Sequence, residues 1–122
     1  MLLNRNTIFP AAVTAKPIQY ALGALRRDFD RIFAATAAPG GRLLLTINHT
    51  LAAEQYTLTA GTDTLLLSAS DDLGFVYGLF EISRRFLGVQ PFWFWNDQPF
   101  EVRESVKILT NTVIESKPAR VT

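Results

Sequence analysis

Apolar and polar positions repeat along this chain with two periods, and the switches between them mark its elements. Pro17 is well placed to open a helix. From there Ile18, Leu22, Leu25, Phe29, Ile32 and Phe33 recur at the three-to-four spacing of one helical face. Arg26 and Asp30 stand four apart on the opposite face, a minor surface support, and Pro39-Gly40-Gly41 is expected to end the element. Period two then takes over. Arg42 to Asn48 alternates with Leu43, Leu45 and Ile47 on one side. Tyr56, Leu58 and Ala60 point one way, as do Leu65, Leu67 and Ala69 after a turn at Gly61-Thr62-Asp63, which predicts a hairpin. Thr57, Thr59, Thr64 and Ser68 fill the alternate face, which is expected to be wet or lightly covered.

A second helix follows, capped by Asp71 or Asp72. Phe75, Leu79, Ile82 and Phe86 form its apolar stripe, and Gly88 is a good stop. At the ends, Thr7 to Val13 predicts a short first strand that Pro10 confines to an edge, and Val106 to Glu115 predicts an extended last one. The order is β-α-β-β-β-α-β: an α+β fold, with a mixed sheet and two helices on one face.

Composition narrows the functions. The 122 residues suffice for one domain that needs no metal or disulfide staple. The net charge of +1 and the lack of a basic cluster larger than Arg26-Arg27 or Arg84-Arg85 argue against nucleic acid or an anionic membrane as partner. Charged residues are 19% of the chain, against roughly 25% in an average soluble domain, and the mean hydropathy is +0.15. Both suggest a surface short of polar cover. No apolar run approaches the ~20 residues of a membrane span. The N-terminal stretch lacks the marks of a signal peptide, so a cytoplasmic location is expected. The absence of cysteine removes disulfides and thiolate metal sites.

The densest information lies between Asp71 and Phe100. Gly74 and Gly78 share one side of the second helix at about 1 kcal/mol each relative to alanine. Close packing of the helix on its own sheet, or close approach of a second domain, would offset that cost. Beyond Gly88, Phe92, Trp93, Phe94, Trp95 and Phe100 crowd into nine positions that hold both tryptophans of the chain. Such a cluster serves as buried packing, with Phe92, Phe94 and Phe100 joining the two glycines at a domain interface. It also has the chemistry of a sugar platform. The indoles of Trp93 and Trp95 can stack on pyranose C–H faces, while Asn96 and Asp97 bind hydroxyls.

The stretch LGFVYGLFEISRRFLGVQPFWFWNDQP resembles the end of the N-terminal domain of glycoside hydrolase family 115 α-glucuronidases. There a YG-hydrophobic helix and a short aromatic loop precede the catalytic barrel. Tyr77, Gly78, Ser83, Gly88, Pro91, Trp95, Asp97 and Pro99 match the pattern. Phe92 and Phe94 stand where tryptophans are expected, Trp93 where tyrosine is usual, and Asn96 replaces a small residue. More loosely, YTLTAGTDTLLLSASDDLGFVYGL is similar to the non-catalytic N-terminal domain shared by β-hexosaminidases and other α-glucuronidases. The resemblance implies a β-hexosaminidase N-terminal-domain-like fold over 1–116. It also implies a linker over 117–122, leading into a (β/α)8 barrel that this chain does not contain and that would carry the catalytic carboxylates.

The chain's own chemistry is sparse, and no catalytic residue, metal or cofactor is assigned. His49, the only histidine, is expected at a surface strand end. Asp71-Asp72 fits a helix cap better than a metal pair, and Asp97 and Glu101 fit a turn cap or an interdomain salt bridge. Asn48-His49-Thr50 satisfies the glycosylation triplet incidentally. Arg84 and Arg85 are expected to pair with Glu81 or to face solvent. Two functions follow. One is an accessory domain that buttresses its own catalytic barrel and lends the aromatic loop to an oligosaccharide cleft. The other is a free-standing glycan- or protein-binding module with an exposed aromatic patch. In isolation the chain is expected to hide that patch in a homodimer.

Overall fold

The computed structural model describes residues 1–88 and 102–116. Its elements are β1 (Leu2–Asn4), α1 (Lys16–Ile32), β2 (Arg42–Ile47), β3 (Tyr56–Ala60), β4 (Thr64–Ala69), α2 (Asp72–Ile82), β5 (Ser105–Lys107) and β6 (Val113–Glu115). The main sheet is mixed, in the order β2-β4-β3-β6, with only β2 and β4 parallel. β1 and β5 form a separate antiparallel pair. The fold is α+β, as the periodicity predicts.

One face of the main sheet is buried. Leu43, Leu58, Ala60, Leu65, Leu67 and Ala69 share one core with Ile18, Leu22, Leu25, Phe29, Ile32 and Phe33 from the α1 region and with Phe75, Leu79 and Ile82 from α2. α1 also packs along α2. Phe29 sits edge-on between Phe9 and Phe33, with ring centroids 5.0 and 5.1 Å away. The hydroxyl-bearing face, with Thr57, Thr59, Thr64 and Ser68, is half-buried.

Three boundaries differ from expectation. The first strand is Leu2–Asn4, not Thr7 to Val13. Within that later stretch only Ile8 bridges β2, through Ile8 N to Gly41 O (2.9 Å) and Leu43 N to Ile8 O (2.8 Å), and Pro10 lacks the donor to prolong the ladder. Helix α1 stops at Ile32, before Pro39-Gly40-Gly41. Phe33 turns extended there, and the chain pairs instead with Arg103, whose N–H donates to Ile32 O (2.8 Å). The expected last strand splits into β5 and β6 around Asn111, whose φ of 69° reverses the chain. Asparagine tolerates that left-handed conformation better than most residues.

Candidate functional site

Helix α2 begins at a well-made cap. Asp71 Oδ1 accepts the Gly74 N–H (2.9 Å), and its two oxygens accept from Glu54 N (3.2 and 3.1 Å). That is the helix-cap role expected for Asp71. Among the described residues, no three His, Cys, Asp or Glu side chains gather as a metal site. One turn on, Gly74 and Gly78 lie buried against the domain's own sheet. A β-carbon on Gly74 would stand 2.5 Å from Gln55 O and 2.9 Å from Ala69 Cβ, and one on Gly78 would run into Leu67 Cδ1. The close neighbour of both glycines is therefore β4 with the residue entering β3, rather than a second domain. Helix-on-sheet packing occupies this side of α2.

The same side of α2 carries Glu81, three residues after Gly78 and only 6% exposed. A buried carboxylate must be paired, and three side chains supply the donors. The Tyr56 hydroxyl donates to Oε1 (3.0 Å), Arg85 Nη2 reaches Oε1 at 3.5 Å, and Arg84 Nη2 pairs with Oε2. Burial, then donation to Glu81 and the charge of that carboxylate, push the Tyr56 phenol up to about 12, against the lowering influence of Arg84 and Arg85. With both oxygens engaged, Glu81 is a structural anchor rather than a free base.

The backbone beneath this cluster is unusual. From Ser83 to Leu87 the helix widens into a π turn, closed by the Gly88 N–H on Ser83 O, with Gly88 at φ 74°. π turns recur at functional positions. Here the wider turn accompanies two roles for consecutive side chains. Arg84 and Arg85 reach back to Glu81, while the Ser83 hydroxyl donates to Asp28 Oδ2 of α1 (2.8 Å). The cluster thus ties β3, α2 and the π turn together, and Ser83 adds α1.

The residues expected to bind sugar, Trp93, Trp95, Asn96 and Asp97, and those expected at an interface, Phe92, Phe94 and Phe100, lie outside the described residues, as does Glu101. His49 is exposed. Asn48 accepts through Oδ1 from the Thr50 N–H (3.0 Å) and from the Thr50 hydroxyl (2.6 Å). The bond from half-buried Tyr56 to buried Glu81 is the feature that the sequence reading missed, although it expected Arg84 and Arg85 as partners of Glu81. Its signal was available in the spacing. Glu81 follows Gly74 and Gly78 by seven and three residues, which puts an acid on the side that the glycines press against the sheet.

No protein-family profile matches the sequence, and no curated protein matches it significantly. Solved structures do. The fold is similar to part of a family GH115 4-O-methyl-α-glucuronidase with specificity for decorated arabinogalactans (TM-score 0.74, 20% identity), over 97% of this chain and 18% of that one. It is also similar to part of a GH20 exo-β-N-acetylglucosaminidase from Vibrio harveyi, in complex with N-acetylglucosamine (TM-score 0.56, 12% identity), over 97% of this chain and 17% of that one. The chain spans less than a fifth of either enzyme. Its fold is the one that the resemblance to α-glucuronidase and β-hexosaminidase N-terminal domains implies.

Proposed function

We propose that this chain is the non-catalytic N-terminal accessory domain of a larger cytoplasmic glycoside hydrolase of α-glucuronidase-like type. It buttresses a catalytic barrel that follows residues 117–122, and the loop bearing Trp93, Trp95, Asn96 and Asp97 contributes to the substrate cleft. The observation that carries this reading is that nearly the whole chain (97%) superposes on a small part of two enzymes, both glycosidases, from different families. A free-standing binding module needs no such recurrence, and the two helices also separate this fold from the all-β sandwiches common among sugar-binding modules. Without a covering domain, the loop is expected to drive a symmetric homodimer of the isolated chain.

The test is to read the gene beyond codon 122 and express what it encodes. A (β/α)8 barrel with paired acidic residues, and hydrolysis of an aryl glucuronide, supports the proposal. A stop codon overturns it in favour of the free-standing module. In the longer protein Trp95→Ala is expected to lower kcat/KM for an oligosaccharide more than for an aryl glycoside. Equal loss on both would remove the loop from the cleft.

A further inference from the structure

We propose that the outer edge of β2 is a self-pairing interface, on which β2 of a second copy of this chain adds antiparallel about a two-fold axis at Thr46. β2 is one end of the main sheet. Its even-numbered residues turn their backbone groups towards β4, as in Arg42 N to Asp63 O and Asn48 N to Ala69 O, both 2.9 Å. The odd-numbered ones face outwards. Leu43 is served there, its N–H donating to Ile8 O (2.8 Å). Leu45 and Ile47 have no strand beside them among the described residues. Each leaves an N–H and a C=O to be matched, and another extended backbone matches that alternation.

The edge also lacks what usually deters such pairing. No Asp, Glu, Lys, Arg or Pro stands between Arg42 and Glu54. Ile47 and Leu44 are 63% and 39% exposed, and Thr46 is exposed as well. The opposite edge, β6, is blunted, with three residues that end in Glu115. An uncharged edge meets its own copy without like-charge repulsion. The register selects that copy as the occupant. Centred on Thr46, Leu45 pairs with the second copy's Ile47 and Ile47 with its Leu45, so all the outward groups are used, in two doubly bonded pairs. An axis at Leu45 sets Ile47 against Leu43, which Ile8 already holds. An axis at Ile47 sets Leu45 against His49, past the strand, where Leu51 N turns back on Asn48 O (3.2 Å). Thr46 then faces Thr46 across the axis, a favourable cross-strand pair, in an isologous interface. This pairing uses none of residues 92–100 and does not rest on the accessory-domain reading.

The chain has no cysteine, so one introduced thiol reports the register. The two Thr46 residues form a non-hydrogen-bonded pair with Cα atoms about 4.5 Å apart, within the roughly 4.4–6.8 Å that a disulfide spans. Under mild oxidation Thr46→Cys is expected to become a disulfide-linked dimer. Leu44→Cys, set against the second copy's Asn48, and Thr59→Cys, on interior strand β3, are expected to stay unlinked. Linking of all three at similar rates would show random collision and overturn the pairing. Sedimentation of the unmodified 122-residue chain gives a second reading. Self-association is expected, and several-fold weaker in Ile47→Lys, with the thermal transition of dilute protein unchanged. A monomer at every concentration, or a dimer that Ile47→Lys leaves intact, would overturn the proposal. Loss of such a dimer in Trp95→Ala instead would assign it to the aromatic loop, again against the proposal. A lowered transition for dilute Ile47→Lys would place Ile47 in the domain's own packing and count against the interface.

Discussion

Tyr56, half-buried, and Glu81, buried, depend on each other for their protonation states. The phenol gives the carboxylate a neutral donor, and the carboxylate makes loss of the phenol proton unfavourable. Removing the hydroxyl in Tyr56→Phe leaves Glu81 with Arg84 and Arg85 alone, and we expect a cost of about 1–3 kcal/mol, read as a lower urea midpoint. The pH dependence checks the raised phenol, which burial first and then the bond to Glu81 produce. Unfolded tyrosine loses its proton near pH 10, whereas folded Tyr56 holds it to about 12. Between those values the unfolded state binds fewer protons than the native one, so stability falls as pH rises. The contribution is complete below pH 10 and lost through about 12. The gap between wild type and Tyr56→Phe should therefore narrow across this window. A gap independent of pH would mean that the phenol is not raised.

At the scale of one element, α2 is set by what its glycines leave room for. Gly78→Leu must displace Leu67, which is fully buried, and is expected to cost about 1–3 kcal/mol by overpacking. Gly74→Ala sets two effects against each other. Alanine favours a helix by about 1 kcal/mol over glycine, but its methyl would sit 2.5 Å from a backbone carbonyl, Gln55 O, which cannot turn aside as a side chain can. We expect the clash to win and the denaturation midpoint to fall. A rise would show that the strand yields. The same helix shows what the sequence made legible. Its cap, its buried stripe and its stop at Gly88 follow from local rules, as do the α1 stripe and the β3–β4 hairpin, because each is set by neighbours in sequence. The strand at Leu2–Asn4, the early end of α1 and the split around Asn111 depend on partners dozens of residues away, which periodicity does not register. Glu81 had a spacing signal, but its tie to Tyr56 crosses from helix to sheet and became visible only with the fold.

For the whole molecule, the question is whether this domain can perform chemistry alone. Glycoside hydrolysis generally requires two carboxyl groups across the scissile bond, about 5–5.5 Å apart for retention or 6.5–9.5 Å for inversion. Among the described residues the buried carboxylate, Glu81, has both oxygens occupied by Tyr56, Arg84 and Arg85. The Asp71 carboxylate is spent on the N–H groups of Gly74 and Glu54. Neither can give a proton to a leaving group or attack a sugar without dismantling the helix it supports. Purified 122-residue chain is therefore expected to release no aryl alcohol from an aryl glucuronide or an aryl hexosaminide above the uncatalysed rate. The informative failure would be turnover that disappears in Asp97→Asn or Glu101→Gln while the thermal transition stays in place. Those two acids would then form a working pair within this domain, and the chain would be an enzyme in its own right rather than the support of one.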